Sequence, residues 1–175
     1  MKKYELTTET LQFAGRTLHG IKALRDFGSV KAGQFGGWIE NEKNLSQDDN
    51  AWIDGEAMVF DNARVFVNAK VFGYAKVYDF AEIYGNVRIY GNASIKGDAK
   101  IHDAVDYIVF KNFWSSGRYF TWTRSNNMWS VGCFYGIGEE LINKAYNDSE
   151  ISGKEYERVV RYVESILADE KKRSN

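Results

Sequence analysis

From residue 51 to residue 104 the hydrophobic and polar positions repeat with a period of six. A small side chain, alanine in every unit but one, stands two residues before each aliphatic side chain. Two residues after each aliphatic comes glycine or aspartate, again in every unit but one, which is typical of turns. Each unit is therefore predicted to be a short β-strand followed by a turn. The aliphatic column is Ile53, Val59, Val65, Val71, Val77, Ile83, Ile89, Ile95 and Ile101.

A six-residue unit fits neither an α-helix, which needs a period of about 3.6, nor an array of antiparallel hairpins, which needs longer strands. We expect the chain to coil, with each unit on one side of a prism and the aliphatic and small side chains pointing inward. This pattern resembles the hexapeptide-repeat, left-handed parallel β-helix family, in which three units make one triangular coil of about eighteen residues. The resemblance implies a mainly β fold with about three coils.

The repeat divides the chain into three predicted segments. Residues 1–50 are expected to form an N-terminal β cap, residues 51–105 the β-helix, and residues 106–175 a small α+β domain. In the last segment we predict antiparallel strands at 106–113, 119–123 and 129–134, followed by helices. Bare end coils would expose the apolar core, so the flanking segments are expected to act as caps. Helical spacing of apolar residues is found at Tyr156, Val159, Val160, Val163, Ile166 and Leu167.

A second motif precedes the repeat: Gly36-Gly37-Trp38-Ile39-Glu40. With it, residues 20–105 resemble uncharacterised bacterial and prophage hexapeptide-repeat proteins that are labelled as transferases on the strength of their fold. That resemblance brings no catalytic residues with it. We interpret the glycine pair as a tight turn that lays the Trp38 indole over the first coil, with ligand stacking as the alternative. A weaker likeness to phage-borne relatives covers residues 132–134 and 155–156.

Composition narrows the function classes. The 23 basic and 24 acidic side chains leave a net charge of -1, which disfavours nucleic-acid binding through bulk charge. One cysteine and two histidines exclude a disulfide framework and a three-histidine zinc site within one chain, so we expect neither metal nor cofactor. No apolar run approaches membrane-spanning length, and the N-terminus carries no signal-peptide core. A cytoplasmic protein without a membrane partner is expected.

Aromatic residues follow the aliphatic column and are predicted to point outward. At eighteen residues per coil they would stack in three pairs, one on each side of the prism. These pairs could serve as ladders within the chain or as contacts to another protein. Our first hypothesis is a non-enzymatic scaffold of phage or prophage origin that forms a homo-oligomer and binds a host protein as inhibitor or adaptor. The predicted partner-binding residues are Phe60, Phe66, Phe72, Tyr78, Tyr84 and Tyr90.

Two other hypotheses belong to different classes. Hexapeptide acyltransferases use a histidine as general base, and His102 is the one histidine on the coils, whereas His19 lies in the N-terminal cap. An acyl-CoA-dependent acyltransferase with His102 as base is therefore the alternative. A carbohydrate-binding module would use Trp38, Trp52 and Trp122. Cys133 is expected to be a buried small apolar residue rather than a nucleophile.

Overall fold

The computed structural model describes residues 1–174, which form two compact units. The N-terminal unit consists of Met1–Ile108 together with Thr123–Asn126. The C-terminal unit consists of Val109–Trp122 and the chain from Asn127 onward. Within the described residues, neither helix combines the length and the apolar character needed to cross a membrane.

The N-terminal unit begins with three strands of ordinary length. Strands β1 (Tyr4–Phe13) and β2 (Arg16–Ala23) form an antiparallel hairpin, and β3 (Phe35–Ile39) pairs antiparallel with β2. Ala14 and Gly15 connect the hairpin with φ values of 49° and 77°, the left-handed conformation that a two-residue turn requires.

Nine two-residue strands follow, one in each hexapeptide. Each of the first six pairs in parallel with the strand eighteen residues further along the chain, so the segment is a parallel β-helix, as predicted. The strands are β4 (Trp52–Ile53), β5 (Met58–Val59), β6 (Arg64–Val65), β7 (Lys70–Val71), β8 (Lys76–Val77), β9 (Glu82–Ile83), β10 (Arg88–Ile89), β11 (Ser94–Ile95) and β12 (Lys100–Ile101).

These strands build the three faces of a prism. The first face contains β5, β8 and β11 and is extended by β3, β2 and β1; the second contains β6, β9 and β12; the third contains β4, β7 and β10. Every aliphatic of the repeat has no exposed surface, and the small residues two positions earlier are at most 3% exposed. The two columns therefore fill the interior of the prism, which confirms the predicted inward register.

The solenoid has about four turns rather than three, because it begins before the repeat. Strand β3 pairs in parallel with β5, matching Ile39 to Val59, and Leu45 forms a parallel bridge to Val65. Ile39 and Leu45 are buried, so they continue the core columns upward. In this first turn, residues stacked on one another are twenty apart in the sequence rather than eighteen. The two extra residues lie within residues 46–50, after which the spacing is eighteen.

The glycine pair was wrongly interpreted as a tight turn. Gly36 and Gly37 lie inside β3, where a side chain would collide with the next turn of the solenoid. A Cβ on Gly36 would sit 2.5 Å from the carbonyl oxygen of Ile53, and one on Gly37 would sit 2.6 Å from that of Ala57. The pair is therefore needed for close backbone approach rather than for chain reversal.

The other end of the solenoid is closed by residues 123–126, which belong to the same unit. The Ser125 hydroxyl accepts a hydrogen bond from the Lys100 backbone N–H at 2.7 Å. The Asn126 side chain donates to the Asp98 carboxylate at 3.0 Å, and the Arg124 N–H donates to the Asp106 carbonyl at 2.8 Å. These bonds pair polar groups that the last coil would otherwise leave without a following strand.

The remaining strands are β13 (Tyr107–Lys111), β14 (Tyr119–Thr123), β15 (Met128–Val131) and β16 (Phe134–Gly136), which lie in chain order in one sheet. Helices α1 (Gly138–Asp148) and α2 (Glu150–Arg173) follow. On α2, Tyr156, Val160 and Val163 are buried as the helical spacing predicted, and the Tyr156 ring packs 4.6 Å from that of Phe120.

Two details of the C-terminal unit correct the sequence interpretation. The strand predicted over residues 129–134 is a hairpin, because Gly132, at φ 58°, and Cys133 turn the chain between β15 and β16. Cys133 is exposed at that turn, so the prediction that it is buried was wrong. A turn residue has no sheet face to pack against, which explains the exposure.

Candidate functional site

The outward aromatic residues form three stacked ladders, one on each face of the solenoid. The ring centroids are 4.9 Å apart in the first ladder (Phe60–Tyr78), 5.1 Å in the second (Phe66–Tyr84) and 5.5 Å in the third (Phe72–Tyr90). The interplanar angles are 6°, 13° and 16°. The stacking follows from the fold, because neighbouring strands lie about 4.7–4.9 Å apart and a repeat of eighteen places equivalent side chains above one another.

The first ladder is largely covered by the N-terminal hairpin. Phe60 is only 3% exposed, and the Phe13 ring packs against it edge-on at 5.6 Å. Arg16 lies over the same ring and forms ion pairs with Glu40, at 3.6 Å, and with Asp61. The N-terminal segment therefore covers this face of the solenoid as well as capping its end.

The second ladder is half-buried and is continued by the histidine of the last coil. The imidazole of His102 lies 5.2 Å from the Tyr84 ring, tilted by 59°. Beside the ladder, the charged column alternates in sign: Glu82 lies 3.8 Å from Arg64 and 3.9 Å from Lys100. The second face therefore presents an aromatic strip next to a charge-balanced one.

The third ladder ends in open solvent. Tyr90 is 57% exposed, whereas Phe72 is half-buried, with the Arg88 guanidinium 5.5 Å from its ring centroid. Two further aromatic residues, Tyr74 and Phe80, lie at corners of the prism and are 64% and 66% exposed. Several aromatic rings on the solenoid are therefore exposed to solvent.

His102 has the geometry of an oriented imidazole on an open surface. Its Nδ1 lies 2.8 Å from a carboxylate oxygen of Asp103, and more than half of its side chain is exposed. Gly85 makes room for the ring, because a Cβ there would lie 2.9 Å from the imidazole Cδ2. A carboxylate on Nδ1 would leave Nε2 to accept a proton. His19 lies on β2, opposite Ile39 of β3, away from this column.

Two of the three tryptophans proposed for carbohydrate binding are buried. Trp52 and Trp122 are 2% and 1% exposed, so neither presents a ring face to a sugar. The Trp122 indole N–H donates to Asn127 at 2.9 Å. Trp38 is half-buried and packs over Gly20. The carbohydrate hypothesis is therefore wrong in its choice of residues. It assigned to the surface large aromatic rings that are packed inside the fold.

Comparison with known proteins yields one informative relative. No protein-family model matches the chain. A segment of 61 residues is 39% identical to a protein named "Uncharacterized acetyltransferase YdcK" from Escherichia coli (strain K12). The match covers 30% of this chain and 19% of the relative, so the chain spans about a fifth of the length of that curated relative. Together with the β-solenoid, this similarity fits a transferase-like protein of the hexapeptide-repeat type; it says nothing about a phage origin.

Proposed function

We propose that the protein is a non-enzymatic β-helix scaffold that associates with copies of itself and binds a protein partner through its second and third ladders. This proposal rests on the aromatic side chains of the ladders that point into solvent. The clearest example is Tyr90, which is 57% exposed. Aromatic residues dominate the energetically important positions of protein interfaces. Apolar side chains grouped on the surface of a folded domain often mark interaction sites.

The charged columns beside the ladders support the same function. Arg64 lies over the Phe66 ring at 5.3 Å and Arg88 lies over Phe72 at 5.5 Å. Arginine and aromatic residues are enriched at interfaces, and a cation held over a ring is already oriented before a partner arrives. The first ladder is left out of the proposed interface because Phe60 is covered by Phe13. A host protein is the partner class we propose, on the resemblance of residues 20–105 to prophage proteins.

Self-association is tested by measuring the molar mass in solution. We expect a mass above the 20.1 kDa of one chain at micromolar concentration, and a shift toward 20.1 kDa in the double variant Phe66→Ser, Tyr84→Ser and in Tyr90→Ser. Phe35→Ser is the matched control, because Phe35 is 59% exposed and lies outside the ladders. A mass of 20.1 kDa for the unchanged protein across the micromolar range would refute self-association and leave the ladders as internal stabilising contacts.

A second candidate function is acyl transfer, favoured by the contact between His102 and Asp103 and by the name of the relative. In that reaction the imidazole would take a proton from an acceptor hydroxyl or amine, which attacks the thioester carbonyl and releases the thiol. Acyl-coenzyme A should then raise the melting temperature of the protein, and His102→Ala should abolish turnover. We expect neither effect from a scaffold, and His102→Ala should leave partner binding intact.

A further inference from the structure

A groove of about 210 Å³ lies on the third face, within the N-terminal unit. Its floor is formed by β4, β7 and β10, and one wall by the segment that contains Ser29, Val30 and Gln34. Pockets that enclose a drug-sized molecule measure about 300–1,000 Å³. This groove is smaller, so it suits a small group rather than a whole cofactor.

Two cations stand side by side in this groove. Lys70 of β7 and Arg88 of β10 are direct partners in the parallel register, so their side chains leave the face at one strand spacing from each other. Burial and the charge of Arg88 lower the pKa of Lys70, and the negative charge of Asp54 opposes them. The Lys70 ammonium has three N–H donors. It uses one of them in a hydrogen bond to the Asn50 carbonyl at 2.8 Å.

The balance of charge in the groove favours the cations. Among the described residues, neither Lys70 nor Arg88 forms an ion pair within 4.0 Å. The equivalent column of the second face places Glu82 between two cations, whereas here the column reads Trp52, Lys70, Arg88. Asp54 also lines the groove, but its carboxylate accepts a hydrogen bond from the Gly55 N–H. The groove therefore keeps two positive charges beside one negative charge.

The third observation is a buried donor without a partner. Trp52 lines the groove and is 2% exposed, and its indole Nε1 has no hydrogen-bond partner among the described residues. The donors that the groove offers to an anion are therefore the Lys70 ammonium and the Arg88 guanidinium, beside the single carboxylate of Asp54.

We propose that this groove binds a phosphate group, held by Lys70 and Arg88, with Trp52 in its wall. Two cations match the charge of a phosphate dianion, and the fork of Arg88 suits its tetrahedral oxygens. Phe72 provides an apolar flank for whatever the phosphate is attached to. Arg88 and Phe72 also belong to the interface proposed on the third face, but phosphate binding does not depend on the scaffold function.

The test is a nuclear magnetic resonance titration that follows the tryptophan indole N–H signals, with the Trp52 signal assigned from Trp52→Phe. The probes are inorganic phosphate and phenyl phosphate. We expect saturable binding at millimolar concentration or tighter, at least about tenfold weaker in Arg88→Gln and in Lys70→Met because each removes a charge-assisted hydrogen bond. Asp54→Asn should tighten binding, because it removes the one opposing charge. Arg64→Gln, a cation of the second face, is the matched control and should bind as the unchanged protein does.

The outcomes separate the sources of the phosphate. Equal affinity for both probes supports free phosphate as the ligand, and at least tenfold tighter binding of phenyl phosphate supports a phosphate monoester. No saturable shift, or equal weakening by Arg64→Gln and Arg88→Gln, would overturn the site. Circular dichroism of each variant identifies loss of fold, and Arg88→Gln tests the proposal even where Lys70→Met is unstable, because Arg88 is exposed.

Discussion

The close approach of β3 to the next turn of the solenoid gives a sharp stability prediction for Gly36→Ala. The new Cβ would lie 2.5 Å from the Ile53 carbonyl oxygen, 2.6 Å from Cζ2 of Trp52 and 2.7 Å from Cγ1 of Ile21. Ordinary contacts of this kind are about 3.5–4.0 Å. The first neighbour is backbone, so β3 has to move away from the solenoid by about an ångström.

The magnitude follows from what that movement breaks. Overpacking of a filled interior costs about 1–3 kcal/mol. Strand β3 also donates from Trp38 N–H to the Ala57 carbonyl at 2.9 Å and from Glu40 N–H to the Val59 carbonyl at 3.2 Å. Each lost hydrogen bond costs about 1 kcal/mol, while replacing glycine by alanine restores about 0.4–1 kcal/mol through the unfolded chain. The expected net loss is about 2–4 kcal/mol.

Gly20→Ala is the matched control, because it makes the same chemical change on β2. Its new Cβ would lie 2.8 Å from Oγ1 of Thr7, a side-chain atom rather than backbone, and 3.7 Å from the Trp38 ring. We expect a loss below about 1 kcal/mol. Urea unfolding measures both variants, and hydrogen exchange of the Trp38 and Glu40 amides localises the effect to β3. Equal stability of Gly36→Ala and Gly20→Ala would refute the close-approach argument.

Two further predictions concern the core and the pH dependence of stability. Val77→Asp should unfold the β-helix, because it buries an unpaired charge. Lys76→Asp, one residue away and outward, should change the free energy of unfolding little. Circular dichroism melts compare the two variants, and similar losses of stability would contradict the inward register. Burial, aided by the charge of Lys70, lowers the pKa of Lys3 from 10.5 to about 8, so the unfolded state binds more protons between these values. The free energy of unfolding should therefore rise between about pH 8 and about pH 9.5, below the onset of tyrosine ionisation. Lys3→Met should flatten that rise when it is measured by urea titration. An unchanged rise would show that Lys3 is not its source.

The period of six by itself determined the interior of the solenoid. Side-chain direction in an extended strand alternates, so a strict repeat fixes which columns point inward and which outward without knowledge of any distant contact. The three aromatic ladders follow from the same rule once eighteen residues make a coil. The inward position of Val77 and the stacking of Phe66 on Tyr84 were therefore predictable.

Contacts between segments that share no period were decided only by the tertiary structure. The two extra residues between Leu45 and Ala51 hide the first turn of the solenoid from any search for a repeat, so β3 was not recognised as part of it. The cover of Phe13 over Phe60 and the packing of Trp52 likewise depend on where the hairpin and the segment around Phe27 fold back. The phosphate groove needs the parallel register to bring Lys70 beside Arg88, and it is visible only once the chain has folded that neither cation forms a close ion pair among the described residues. Local periodicity specifies direction along a strand, whereas a site requires proximity, and proximity is a property of the folded chain.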